Sequence, residues 1–185
     1  MEKKDDEKED TKEAELKQGN ISLILDSYDD IFSDFDPRHY PEKALSDDFL
    51  EECKRAVRDK KEDFKLELRL LVPKFKRSVI DEINIKKRLK NHFQKHFLEK
   101  EKERNSLRKN GILLFSIGAI MTFASTLIYP YKGMLSNFLL VLLEPAGWFT
   151  IWNGLDKFFF ETKNKKSEIE FYRKMSKLEI LFIEY

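Results

Sequence analysis

"MLSNFLLVLLEPAGWFTIW" (Met134–Trp152) decides how this chain is read. It holds a single charged side chain, Glu144, followed at once by the helix breaker Pro145. An acid and a proline mean different things in a core strand, a core helix and a membrane span. A second run, "GILLFSIGAIMTFASTLIYP" (Gly111–Pro130), carries no charge, and only Tyr131–Gly133 separates the two. At about 1.5 Å per residue, each run is long enough to cross a hydrocarbon layer of about 30 Å. A soluble helical hairpin would show a polar stripe on each helix. The Leu, Ile and Phe residues from Ile112 to Ile128 favour insertion of the first run by roughly 4 kcal/mol. Both are read as transmembrane helices, 111–130 and 137–158, joined by a short external loop 131–136. Neither lies at the N-terminus behind a basic segment, so neither reads as a cleaved secretory signal.

Charge fixes the expected orientation. Charged residues make up 37% of the 185, yet the net charge is +1. Lys95, Lys100, Lys102, Arg104, Arg108 and Lys109 precede the first run, and Lys157, Lys163, Lys165, Lys166, Arg173 and Lys174 follow the second. The connecting loop has only Lys132. The excess of cations on one side predicts a multi-pass cell-membrane protein with both termini cytoplasmic. Anionic headgroups are the expected partners of these basic flanks, and the lipid bilayer is the partner of the hairpin. Acidic residues interleaved with the basic ones, and the adjoining span, argue against nucleic acid.

The remaining chain predicts a small cytoplasmic α+β module over 19–110, completed by 159–185. Residues 1–18 are almost wholly polar and charged, and read as a disordered tail. Ile21, Leu23 and Leu25 alternate as in a strand. Phe64, Leu66, Leu68 and Leu70 alternate with Lys65, Glu67 and Arg69, and Leu178, Ile180 and Phe182 repeat the pattern in a final strand 177–185. Between the first two strands, Ser46 caps a helix with Asp47 and Asp48 in its first turn and Phe49, Leu50, Cys53 and Val57 at helical spacing. After Pro73 a long helix, 75–110, places Val79, Ile80, Ile83, Leu89, Phe93 and Phe97 on one stripe and nears continuity with the first span, with a break at Asn110–Gly111. The fold class is thus membrane α+β: a two-helix hairpin with about three strands and two helices, N- and C-terminal segments together.

Glu144 is the central candidate. An acid at mid-span costs about 2.5–3.5 kcal/mol on insertion scales and cancels most of what the apolar residues supply. Pro145 cannot donate to the Val141 carbonyl and predicts a kink. Ser116, Thr122, Ser125 and Thr126 of the first span are possible hydrogen-bond partners, and Gly118 with Thr122 forms a small-xxx-small pair. Two readings stand: a protonated acid held by a hydroxyl, by the freed carbonyl or by another chain in an oligomer; or a proton or cation site in a pore or relay. An acid reaching the interface is a third.

The second candidate is "SYDDIFSDFDPRHYPEKALSDDFLEE", where Tyr28, Phe32, Phe35 and Tyr40 lie among aspartates and Arg38 faces an acid. It reads either as a loop packed on the sheet, turned by Asp36 and Pro37, or as a docking surface. His92 and His96 are four apart on a helix, but no third ligand stands at a usable spacing, so no metal is expected. The six glycines look scattered, with no phosphate-binding loop. Three histidines and one cysteine, Cys53, assemble no nucleophile and base, and one cysteine forms no internal disulfide. No enzyme activity and no cofactor are expected.

These stretches, with "LELRLLVPK", "LLEPAGWF" and "FYRKMSKLEILFIEY", resemble a family of uncharacterised small two-span membrane proteins of prokaryotes. The resemblance covers the chain from about residue 20. It implies a topology and no catalytic residues. Three functions follow as expectations: a non-catalytic anchored module for assembly, sensing or partner docking; a small oligomeric channel or proton-coupled component using Glu144; or an accessory subunit of a larger membrane complex.

Overall fold

A computed structural model describes residues 20–58 and 66–185; the expected tail 1–18, and Phe64 and Lys65 of the second strand, lie outside these residues. The chain is mostly helical, with one three-stranded sheet and two long apolar helices. It divides into two compact units, one formed by residues up to Phe97 together with Glu170–Tyr185, the other by Leu98–Ile169.

The sheet of the first unit comprises β1 (Asn20–Ile24), β2 (Glu67–Val72) and β3 (Glu179–Glu184) in the order β1-β2-β3. Both pairings are parallel, with Ile24, Leu71 and Ile183 in one cross-strand row and Leu23, Leu70 and Phe182 in the next. The final strand is shorter than 177–185 because Lys177 closes a helix the sequence reading missed. Helix α1 (Asp47–Arg58) connects β1 to β2. The Phe49 amide approaches the Ser46 hydroxyl at 3.5 Å, and the Leu50 amide donates to the Ser46 carbonyl at 3.1 Å, so Ser46 caps α1 as expected.

The long helix α2 spans Val79–Ile128 as one 50-residue element. It starts later than 75 because a 3-10 turn, Lys74–Lys76, follows Pro73 and because Ser78 caps it; there is no break at Asn110–Gly111. Its phase also differs from expectation. Ile85, Leu89 and Phe93 are buried, whereas Val79, Ile80 and Ile83 are exposed. Glu82 turns inward with the buried set because Arg77 and Tyr28 hold it there. The missed helix, α4 (Lys166–Lys177), contributes Phe171, Tyr172 and Met175 to the same core as Phe49, Cys53 and Val57 of α1. Burial pushes the Cys53 thiol pKa up to about 12, an inert packing role.

All three helices thus pack with the same sheet face: Ile21, Leu25, Leu68, Leu70, Val72, Ile180 and Phe182. Strand order explains this. A right-handed crossover lays its connection on one side of the sheet, and a second crossover continuing in the same direction lays its own on that same side. A reversal of strand order would lay a crossover on the other face.

In the second unit, α2 continues and turns at Tyr129–Gly133 into α3 (Met134–Asp156), which begins before 137 and runs helically through Pro145. A π-helical stretch, Lys157–Glu161, follows, with the Thr162 hydroxyl donating to the Lys157 carbonyl five residues back at 3.0 Å. Beyond the apolar stretch, Lys100 pairs with Glu168 at 3.0 Å and Lys165 with Glu103 at 2.9 Å.

Candidate functional site

The hairpin is closed by glycine. A Cβ on Gly118 would lie 2.7 Å from the Gly147 carbonyl oxygen and 2.7 Å from the Ile151 amide. A Cβ on Gly154 would lie 2.5 Å from the Phe115 amide and 2.7 Å from the Gly111 carbonyl oxygen. These neighbours are backbone, so they cannot swing aside; each crossing requires glycine. The four positions form two pairs, each spaced seven residues apart along its helix, which keeps them on one face of two antiparallel helices. The glycines therefore are not scattered. The expected Gly118 and Thr122 pair does face the second helix, with Thr122 Oγ1 over Gly147, but the Gly111 and Gly154 crossing was not anticipated.

The hydroxyls expected to meet Glu144 are engaged elsewhere. Ser116 Oγ donates to the Ile112 carbonyl at 2.9 Å, Thr122 Oγ1 to Gly118 at 3.0 Å, and Ser125 Oγ to Thr122 at 2.8 Å. All are bonds to their own helix. Glu144 is exposed and, among the described residues, has no hydrogen-bond or ion-pair partner. Helix geometry accounts for this. Glu144 lies roughly a quarter turn from the line of Gly147 and Gly154, on an exposed stripe with Asn137, Val141 and Trp148. Pro145 is exposed beside it. The hairpin thus brings Ser125 inside and leaves Glu144 and Ser116 outside. An apolar groove of about 220 Å³ runs past the Gly111 and Gly154 crossing between Phe115, Leu155 and Phe158. It has no polar group with which to orient a substrate.

The aromatic loop of the first unit separates in the same way. Tyr28 and Phe32 are buried, Tyr40 packs on the core, and only Phe35, 97% exposed, and Arg38 lie on the surface. Phe32 stacks on Tyr40 at 5.2 Å, and Tyr28 meets Phe182 edge-on at 5.7 Å. Three of the five candidate docking residues are therefore core, because the loop folds back onto β3. Arg38 donates to both Asp36 oxygens, at 2.9 and 2.7 Å, and the Ala44 amide donates to Asp36 at 2.6 Å. These bonds, Arg38 first, hold the Asp36 carboxyl well below the usual carboxylate range.

At the carboxyl ends of the strands, where open α/β sheets take ligands, the space is filled. The Tyr28 hydroxyl donates to Glu82 Oε1 at 3.0 Å and accepts from the Ser78 amide at 2.9 Å. Arg77 donates to both Glu82 oxygens, at 2.8 and 3.0 Å, and the Tyr185 hydroxyl donates to the Leu25 carbonyl at 3.3 Å. Burial pulls the Glu82 carboxyl up, but the Arg77 and Tyr28 hydrogen bonds outweigh it and hold it low. The cluster is a latch rather than a vacant acid.

His92 and His96 lie 4.3 Å apart between ring centroids, and His96 stacks on Tyr172. His92 Nε2 is buried without a hydrogen-bond partner, and burial, with His96 and Arg88 nearby, lowers its pKa to about 4. Among the described residues no group of three or more His, Cys, Asp or Glu side chains is placed to hold a metal. Compared with protein families, curated proteins and solved structures, the chain matches none.

Proposed function

We propose that this chain is a non-catalytic integral membrane protein in which the α2–α3 hairpin anchors a cytoplasmic α+β module for assembly, sensing or partner docking. One observation carries the reading. The most apolar window of α3 is only 6% buried within the protein and that of α2 only 17%. Ile120, Phe123, Phe138, Val141 and Phe149 all face outward. In water such a surface would drive aggregation; in hydrocarbon it is the stable surface. The likeness to small two-span membrane proteins of prokaryotes belongs to the same proposal. The test is topology. A cysteine replacing Lys132 should react with an impermeant thiol reagent outside intact cells, and one replacing Lys163 should not. Reaction at both, or at 163 alone, overturns the orientation.

A second reading, an oligomeric channel or proton-coupled component, is favoured by one observation: Glu144 lies on the outside of the hairpin, where another chain would reach it. A flux of protons or cations through liposomes carrying the wild type, lost in Glu144→Gln with assembly intact, would establish this second reading. No flux in either protein leaves the first.

A further inference from the structure

The groove at the Gly111 and Gly154 crossing is walled on one side by Ile112 and Phe115 of α2. On the other side stand Leu155 of α3 and Phe158 and Phe159 of the π-helical stretch. Neither glycine has a side chain to fill the space between. Phe158 and Phe159 meet edge-on at 4.9 Å, so the two rings form one continuous wall. Single π-helical turns within helices are rare and gather at functional sites, and this one supplies two of the groove's rings. A second helix, about 10 Å across with its side chains, is too thick to enter 220 Å³ between helices already in contact. A single hydrocarbon chain is not. Left unfilled, the groove would forfeit the dispersion contacts of every side chain that lines it.

The groove is apolar, but its end is charged. Arg108 stands one turn before Ile112, about 6 Å toward the charged segment of α2. Its guanidinium lies over the Phe158 ring at 5.4 Å, a contact that holds the cation beside the groove. Arg108 is exposed and, among the described residues, has no carboxylate partner. Of the acids nearby on the other helix, Glu161 is paired with Lys157 at 3.3 Å, and Asp156 does not line the groove. An unneutralised cation followed by an apolar slot is the complement of a lipid, whose anionic headgroup is followed by a hydrocarbon chain. We propose that this groove binds one acyl chain of an anionic phospholipid, with the headgroup phosphate held by Arg108. The basic flanks put this end of the hairpin at the cytoplasmic leaflet, where anionic lipids gather. To that extent the site rests on the membrane reading above.

The experiment uses the full chain in phosphatidylcholine vesicles. They contain a trace of phosphatidylglycerol carrying a photoreactive diazirine at the glycerol end of its acyl chain, and crosslinked residues are located by mass spectrometry. Expected is label concentrated on Ile112, Phe115, Leu155, Phe158 and Phe159, displaced by unlabelled phosphatidylglycerol and not by added phosphatidylcholine. Arg108→Gln should lower this labelling about fivefold, equivalent to the ~1 kcal/mol of one basic side chain at an anionic surface. Lys163→Gln, in the same basic flank but outside the groove, should leave it unchanged. Leu155→Trp fills the groove and should abolish the label there, while label at Phe138 and Val141 persists and shows the hairpin still in the bilayer. Label spread evenly over the outward-facing residues, or groove label indifferent to Arg108→Gln or to the competing headgroup, overturns the proposal and leaves the membrane reading standing. Label on neither helix overturns both.

Discussion

The two units bury opposite kinds of residue. In the first, Ile, Leu, Phe and Tyr side chains are inside, with Leu68, Leu70, Ile85 and Phe93 at 0% exposure, and among the described residues no lysine, and no glutamate except the paired Glu82, is buried. In the second, the residues against the opposite helix are Gly111, Gly118, Gly147 and Gly154 with Ser125, while Phe, Leu and Trp face away. The first unit is held by removing apolar area from water, at about 25 cal/mol per Å². The hairpin contact buries little such area. It is held by close van der Waals contact between backbones, which only the smallest residue allows. Size is an asset in one unit and a fault in the other.

That contrast breaks or sharpens under mutation. The largest effect is expected from truncation before Leu178, which removes β3 and with it Leu178, Ile180 and Phe182 from the core. The first unit should lose its fold and Cys53 should become reactive to thiol reagents. An unreactive Cys53 would show that β3 is dispensable. Next is a matched pair of deletions. Leu68→Ala should cost about 2–5 kcal/mol by leaving a cavity, whereas Phe123→Ala, at an exposed position of α2, should leave the stability of the first unit unchanged within about 0.5 kcal/mol. Chemical denaturation followed by Cys53 reactivity measures both, and equal losses would abolish the contrast.

The hairpin gives the converse. Gly118→Val adds atoms where a single Cβ already meets backbone at 2.7 Å, and should weaken helix association by about 1–3 kcal/mol. Titration with a denaturing detergent reads this change, and unaltered resistance would mean that the helices do not touch there. The smallest effect is pH-dependent. The His92 pKa is lowered to about 4 in the folded chain, against about 6.5 when unfolded. The unfolded state therefore binds the proton first, so stability is complete above pH 6.5 and declines as pH falls toward 4. The decline should be about 1–2 kcal/mol, allowing for partial exposure. It should vanish in His92→Phe, and melting curves at pH 7 and pH 4.5 test it.

How much of this could be read in advance depended on which pattern carried the information. Alternation at Leu66, Leu68 and Leu70 set the inward face of β2, and Ser46 set the start of α1. Strand direction leaves no mark on alternation, so the parallel pairing, and with it the placement of all three helices on one face, stayed hidden. The start of α2 holds two apolar stripes, and only contact with the sheet chose Ile85, Leu89 and Phe93 over Val79, Ile80 and Ile83. The seven-residue glycine spacing was present in the sequence, and it also turns Glu144 away from the first helix. Helix α4 was obscured by charge, although Ile169, Tyr172 and Met175 sit at three-residue steps.

The pairing of β2 with β3 has a consequence in time. Roughly a hundred residues separate Val72 from Glu179, and they include both apolar helices. A ribosome delivers β1, α1 and β2 early, and that βαβ piece can form with one edge of β2 still unsatisfied. Closing so long a loop costs chain entropy that grows only slowly with its length, but nonlocal closure is slow. The edge must wait, open to mispairing, until the hairpin and α4 have been synthesised. Completion of the sheet thus reports that both apolar helices have already been made, and a chain that stalls within the hairpin is left with an exposed strand edge of the kind that invites aggregation.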